Sequence, residues 1–486
     1  MSQAKHSDSE AAVDEMRRSE GQGLASSQAL ADDAIIWASL HGLLVGLGDE
    51  QRPYALTHAP ISVVPVPFPR DSFQKARAAM QVFNKLIDRV SRDGDYLQRT
   101  LQPAAEFDDF TAKLLEVYRH TEGIRNARAA DELVLAINRS DYMLDEPSST
   151  LLQVELNTIA SSFGCLSTLV SRMHRHILER SAQPGVDLGR LPENHATEEI
   201  ADAIGAAVSE YGAEESVVLF VVQPNERNSY DQQWLQQAIW ERHKIRTVRL
   251  TLAQIAERGA LDANGQLRVD DAEVAVAYFR AGYSPDDYPT DLEWKAREML
   301  ESSRAAQCPS VPYQLAGAKK VQQDLAGPGV VERFVDGPEE AALIRACFAG
   351  LWSLDDVEEA ATAEVLARAE ASPDDYVLKP QREGGGNNLY GAQIVQRLQQ
   401  RTGLAAYILM QRIRPPINRS TLVREGQVIE VDTLSELGIY GTFVRRGDRV
   451  ILNREAGHLV RTKAATSDEG GVAAGFAVLD SPYLTG

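Results

Sequence analysis

Residues 32–122 carry apolar positions at helical spacing. Ala76, Met80, Phe83, Ile87 and Val90 fall on one stripe and predict a core-facing helix, and Leu114, Val117 and Tyr118 predict a second. From Leu133 the texture changes. Residues 133–137 and 151–156 read as strands, separated by a turn at Glu146-Pro147-Ser148-Ser149. The run 217–222 is continuously apolar, as a strand buried on both faces would be. A helix over 232–242, a strand over 246–250, a helix over 252–257 and a strand over 274–279 follow, and this alternation predicts a parallel sheet. The fold class is therefore α/β with α+β character. Residues 213–318 read as an inserted α/β domain, between a helical and strand-bearing part over 26–212 and a last part over 319–486. Helices are expected over 319–371. An antiparallel, strand-rich segment then includes Tyr376-Val377-Leu378 and the run 407–410.

Composition narrows the function classes. The chain has 486 residues, 44% hydrophobic and 25% charged, enough for roughly two to four domains with ample cores. Its 70 acids against 50 bases give a net charge of −20, which argues against nucleic acid or an anionic membrane as the main partner. Cys165, Cys308 and Cys347 are widely spaced, so a disulfide framework or zinc site is not expected and a reducing cytoplasm is the default. No apolar run approaches the ~20 residues of a membrane helix. Residues 1–25, rich in Ser, Glu, Asp and Ala, read as a disordered acidic tail.

The chemistry concentrates in residues 379–391, KPQREGGGNNLYG. Three consecutive glycines give no packing and cost entropy to order, so they point to a backbone that approaches something closely. Lys379, Arg382, Glu383, Asn387 and Asn388 around them supply what a polyphosphate with Mg²⁺ requires: cations, N–H donors and an oxygen ligand. Neither a Walker A loop nor the dinucleotide fingerprint is present, which leaves a phosphate-binding hairpin or loop of another fold. In Val154-Glu155-Leu156-Asn157, strand alternation puts Glu155 and Asn157 on one face and Val154 and Leu156 toward the core. Two oxygen donors on one face suit Mg²⁺, although a solvated strand face shows the same pattern. Residues 159–164 form a small-residue turn able to donate N–H groups to a carboxylate. Glu226-Arg227-Asn228 and Arg280 with Tyr283 follow strands, where α/β domains bind ligands. Arg461 suits a carboxylate, Lys463 a phosphate, and the second glycine-rich segment over 469–475 could close on a substrate. The strand end at Met410 could bond an adenine through backbone groups. His174, His176 and His458 read as structural.

Taken in order, VELNTIASSFG, NERNSYDQ, YFRAGY, QLAGAKKVQQ, VLKPQREGGGNNLYG, SELGIYG and GHLVRTK with GGVAAG resemble the eukaryotic-type glutathione synthetases, from about residue 30 to the C-terminus. The resemblance implies an ATP-grasp ligase with a glycine-rich lid, usually a homodimer, with two Mg²⁺ per site. It joins γ-glutamylcysteine to glycine through an acyl phosphate, releasing ADP and phosphate. It implies Glu155, Asn157 and Glu383 as metal ligands. For ATP it implies Glu155, Lys319, Lys379, Glu383, Gly384, Gly385, Gly386, Asn387, Asn388, Tyr390, Met410, Gln411, Arg412, Ile413, Glu436, Lys463 and Glu469. For the substrates it implies Arg139, Ile159, Ala160, Ser161, Ser162, Glu226, Arg227, Asn228, Gln232, Arg280, Ala281, Gly282, Tyr283, Arg461, Val472 and Ala473. Arg139, Arg461, Lys319 and Lys379 are the expected catalytic cations.

Ala160 departs from a serine common in the family, and Ala281 and Glu469 from aspartates. The Val472-Ala473-Ala474 segment resembles the glycine-specific form rather than the homoglutathione type that accepts alanine or β-alanine. A non-catalytic nucleotide-binding homologue would be expected to lack Glu155, Asn157, Glu383 or Lys379, and all four are present.

Overall fold

The computed structural model of the chain describes residues 27–47, 52, 54–181, 186–224, 226, 228–382, 386–467, 472, 475 and 477–486. The expected tail over 1–25 lies outside them, as do Arg227, Glu383, Gly384, Gly385, Glu469 and Ala473 of the expected site.

A seven-stranded sheet organises the chain, in the order Asn418–Arg424, Ile61–Ser62, Ala477–Asp480, Arg449–Ala464, Gln427–Arg446, Leu133–Asp145 and Thr150–Asn157. Helix Arg70–Arg92 packs on Gln427–Arg446 and Arg449–Ala464, and its predicted stripe Ala76, Met80, Phe83, Ile87 and Val90 is buried. Close approach is possible because Gly441 has no side chain there: a Cβ would sit 2.6 Å from both Met80 Cε and Asn84 Oδ1. Helices Gly164–Ser181 and Ala196–Tyr211 also pack against the sheet. A bulge near Gly441 kinks the long hairpin, and Gly457 lies there at φ +100°, where a Cβ would meet Asn194 Oδ1 at 2.5 Å.

The strand expected to end at Ile137 runs on to Asp145, because Asn138, Arg139, Ser140 and Asp141 are all buried and stay in the ladder. Its partner Thr150–Asn157 returns across the predicted turn. That pairing slips between Asp141↔Glu155 and Tyr142↔Gln153, so Val154 is the extra residue of a bulge. Val154 is therefore only half-buried, which corrects the expectation that it points to the core; Leu156 is buried as expected.

Strands Val217–Val221, Thr247–Leu250, Ala272–Phe279 and Ala306–Cys308 pair in parallel in a second sheet, linked by helices Ser229–His243 and Leu252–Arg258. An antiparallel hairpin, Gly259–Leu261 with Leu267–Val269, extends it. Three-residue strands leave no readable period, so the sequence did not disclose this hairpin. A third, antiparallel sheet holds Leu351–Ser353, Tyr407–Gln411 and Tyr376–Pro380. Its first strand interrupts what was expected to be an all-helical run over 319–371. Helices Ala360–Ala371 and Ala392–Gln399 pack on it around Val365, Leu378, Ile394, Leu398 and Leu409.

Candidate active site

Strand register builds the site. Gly438 pairs Asp141, which pairs Glu155; Tyr440 pairs Arg139, which pairs Asn157; Glu436 pairs Arg461. Side chains alternate, so these residues project from one sheet face. Arg139 donates Nε and Nη2 to the two Asp141 oxygens at 2.6 and 2.8 Å. Arg461 Nη2 donates to Asp141 Oδ2 at 2.8 Å and also to Glu436. Asn157 Nδ2 donates to Asp141 Oδ2 at 2.9 Å. The fully buried Asp141 thus gathers three expected site residues. Gly438 leaves room for it: a Cβ there would lie 2.7 Å from Asp141 Oδ1 and 2.9 Å from Arg139 Cδ. Asp141 was not among the expected residues, because the strand was expected to end before it, at Ile137.

Burial pushes the Glu155 carboxyl up, but Lys319, Lys379, Arg461 and Arg139 together hold it below the usual range. Burial dominates at Glu436 and raises its carboxyl despite Arg461. Burial works against the Arg139 charge, yet Asp141 outweighs it and keeps the guanidinium firmly protonated. Lys319 Nζ stands 3.4 Å from Glu155 and donates to the Arg382 carbonyl at 2.8 Å. Lys379 Nζ donates to the bulge carbonyl of Val154 at 2.9 Å. Both lysines are buried, as is Lys463, two residues beyond Arg461 on the same strand. Leu378 and Leu389, which flank the glycine-rich segment in the sequence, exchange reciprocal backbone bonds at 3.1 and 2.9 Å. Within it Gly386 has φ +79°, and Asn388 Nδ2 donates to the Tyr390 hydroxyl at 3.4 Å.

Ser162 links this row to the second sheet. Its carbonyl accepts from Arg139 Nη1 at 3.2 Å and from the Tyr440 hydroxyl, and its Oγ accepts from Arg280 Nη2 at 2.5 Å. Arg280 is buried, and its Nε and Nη1 have no hydrogen-bond partner; Asn228 Oδ1 is likewise unpartnered. These orphan groups are what a polar substrate would satisfy. Glu226 accepts from Asn228 N–H at 2.8 Å and Gln232 Nε2 at 3.0 Å, and Arg249 steadies Gln232 through a 2.7 Å bond. Gly282 turns at φ +90°, Ala281 is buried, and the Tyr283 hydroxyl accepts from Gln223 at 3.1 Å. Val472 lines a small cleft with Asn228 and Phe163. Ile159 and Ser161 are buried, and Ala160 holds φ +51° in the turn. Three N–H groups at the end of that turn, from Phe163, Cys165 and Leu166, are already taken by the Asp231 carboxylate at 2.8–3.2 Å. The expected carboxylate acceptor for these three is therefore internal. Asp231 and Arg249 are further site residues that sequence reasoning missed.

At the other end, Met410 and Ile413 pack with Leu152, Ala349 and Leu351 in a small apolar cluster. The Arg412 guanidinium lies 5.4 Å from the Tyr390 ring centroid. The Gln411 and Arg412 N–H groups already serve the Gly350 and Asp375 carbonyls, both at 2.8 Å, so these two are not spare donors for a base. His458 is buried against Phe73, and His174 bonds Ser481 and Ser62, as structural histidines would.

A face of paired cations and carboxylates, set between a small antiparallel sheet and a parallel α/β sheet, defines an ATP-grasp carboxylate–amine ligase. A family model, eukaryotic glutathione synthase ATP-binding domain, matches residues 25–484. The chain is 49% identical over 468 residues to a chloroplastic glutathione synthetase of Solanum lycopersicum, covering 94% of this chain and 84% of that one. It is 41% identical over 465 residues to the glutathione synthetase of Homo sapiens, covering 93% and 96%. Among solved structures, a glutathione synthetase-like effector of Globodera pallida in its apo form superposes with a TM-score of 0.75 at 25% identity, over 94% of this chain and 96% of that one. The chain belongs to the eukaryotic glutathione synthetase family.

Proposed function

We propose that the chain ligates γ-glutamylcysteine to glycine at this sheet face, using ATP. The observation that carries the reading is the convergence of Arg139, Arg461, Lys319 and Lys379 around Glu155 and Asp141. Transfer of a phosphoryl group between two anions requires neutralised charge and held geometry more than a covalent nucleophile. The cysteinyl carboxylate attacks the γ-phosphorus and ADP leaves. The glycine amine attacks the resulting acyl phosphate, phosphate departs, and the amine loses its proton. Lys319 and Lys379 hold phosphate oxygens, Arg139 and Arg461 stabilise the charge on the carboxylate and its tetrahedral adduct, and Lys463 and Glu436 complete the nucleotide side. Met410 to Ile413 and Tyr390 flank the base. Arg280, Asn228, Glu226 and Gln232 take the γ-glutamyl end, and Val472 lies where the acceptor amine enters.

The donor set fits Mg²⁺. Asn157 commits its amide nitrogen to Asp141, which leaves its oxygen for the cleft, and Glu155 is held ionised. Mg²⁺ takes few protein ligands plus phosphate oxygens, and a carboxylate with an amide oxygen supplies such donors. Glu155, Asn157 and Glu383 would hold the two ions, which when bound neutralise the ATP phosphates. A homodimer belongs to this reading, as does a cytoplasmic setting. Exposed Ile36 and Leu40 on helix Ser27–Leu40 offer apolar surface for a second copy, and three buried free cysteines accord with a reducing compartment.

The test is ADP release with γ-glutamylcysteine plus glycine, alanine or β-alanine. Glycine-dependent turnover is expected. Faster turnover with β-alanine would overturn the acceptor assignment, and no acceptor-dependent turnover would overturn the ligase reading. Glu383→Gln should lower turnover sharply with the thermal midpoint unchanged.

A further inference from the structure

A cleft of about 500 Å³ opens beside the first residue of strand Leu133–Asp145, between helix Asp109–Arg128, the hairpin of the second sheet and the end of helix Asp291–Ser302. Arg139 is six residues further along that strand, roughly 20 Å away at the rise of a strand. No residue of the proposed catalytic machinery lines the cleft.

Its charges are incompletely matched. Arg128 Nη1 donates to the Ser302 carbonyl at 2.8 Å, and the guanidinium lies against Gly265, where a Cβ would come within 2.2 Å of Nη2. Gly265, at φ +78°, thus both turns the hairpin and admits the cation. Among the described residues no carboxylate comes within 4 Å of Arg128. Burial and the neighbouring Arg304 both lower the Arg128 pKa, as expected of cations crowded without an anion. Asp131, in the same cleft, is already held by Arg446 at 2.6 and 3.1 Å and by Arg304 at 3.1 Å.

Glu301 faces the cations Arg125 and Arg297 yet is incompletely hydrogen-bonded. It is 4% exposed, and one oxygen accepts the Val311 N–H at 2.9 Å. Its other oxygen, Oε1, has no hydrogen-bond donor, and Arg125 Nη1 stands 3.7 Å off. Arg125 is occupied elsewhere, by the Thr121 hydroxyl and the Tyr118 carbonyl. A buried carboxylate oxygen without a donor costs free energy that a ligand N–H would recover.

We propose that this cleft binds a small zwitterion of the amino-acid or short-peptide class, its carboxylate on Arg128 and Arg304 and its ammonium on Glu301 Oε1. A carboxylate meets two guanidinium groups there, an ammonium meets the orphan oxygen, and the volume lies within the range of small-molecule sites.

The experiment titrates triglycine, succinate and 1,4-diaminobutane into the full chain, read by calorimetry. Triglycine is expected to bind more tightly than succinate, and the diamine not at all. Arg128→Ala should weaken triglycine by about tenfold or more, the loss of at least one charge-assisted contact, while ligase turnover stays at the wild-type level. Glu301→Gln should bring triglycine down to the affinity of succinate. Arg128 is partly exposed, so its variant tests the idea even if the Glu301 variant fails to fold. Absence of saturable triglycine binding would overturn the proposal. So would binding that survives Arg128→Ala but is lost in Arg280→Ala, which would place it in the catalytic cleft. Neither result depends on whether the ligase reading holds.

Discussion

Asp141→Asn isolates the residue on which the catalytic row depends. The carboxylate is fully buried and accepts four hydrogen bonds, at 2.6 and 2.8 Å from Arg139, 2.8 Å from Arg461 and 2.9 Å from Asn157. Asparagine keeps the shape, removes the charge and turns one acceptor into a donor that faces other donors. Removing one partner of a buried ion pair costs about 3–5 kcal/mol, because the other charge stays buried without compensation. Arg461 retains Glu436, so the loss falls near the lower end, about 3 kcal/mol. Urea unfolding of wild type and variant measures it. A second readout is the Mg²⁺ concentration for half-maximal turnover, which should rise because Asn157 loses the partner that orients its oxygen. Adding Arg139→Gln should recover part of the lost stability, with a coupling of about 1–3 kcal/mol. Stability within about 0.5 kcal/mol of wild type, the size of an ordinary surface substitution, with an unchanged Mg²⁺ requirement would refute the assignment.

Three further outcomes follow from the same geometry. Gly438→Ala forces a Cβ to within 2.7 Å of Asp141 Oδ1, so it should cost about 1–3 kcal/mol in chemical denaturation and lower turnover, whereas a silent substitution would mean the row can shift. Glu155→Gln removes the carboxylate shared by four cations and should reduce turnover at least about a hundredfold in steady-state assays, with circular dichroism unchanged. Burial lowers His458 to about 3 in the fold, against 6.5 for a free imidazole. The unfolded chain therefore takes up a proton that the fold refuses, and stability contributed by this residue is present above 6.5 and lost as pH falls toward 3. Between pH 7 and 5.5 that loss is about 1 kcal/mol, and His458→Gln should show a urea midpoint less sensitive to pH by this amount.

Elements with a long, clean period were legible in the sequence. The stripe from Ala76 to Val90 and the continuous run from Val217 identify their elements because each residue's burial follows its position in the repeat. Strand Leu133–Asp145 was legible only to Ile137, since its continuation through Asn138, Arg139, Ser140 and Asp141 is polar yet buried. Hydrophobic periodicity cannot see a strand whose polar residues are buried against polar partners from other elements. The bulge at Val154 was hidden for a related reason: it depends on the register against Tyr142, a property of the pair and not of either strand.

The same reasoning explains which part of the site was readable. Glu155, Asn157, Lys379 and the glycines carry their chemistry in local strings. Asp141 does not, because its role appears only when three strands place Arg139, Asn157 and Arg461 around one carboxylate. A buried anion is unfavourable to assemble unless its own acceptors are satisfied, and both Asp141 oxygens are. The geometry explains why Gly438 has no side chain, and it gives Lys379 the carbonyl of the bulge residue Val154 as an acceptor. It also fixes the Asn157 amide by its nitrogen, through Asp141. On the proposed reading, the cations assigned to ATP and the peptide carboxylate are held before either ligand arrives, so their positioning is established on folding and does not have to be supplied at the moment of phosphoryl transfer.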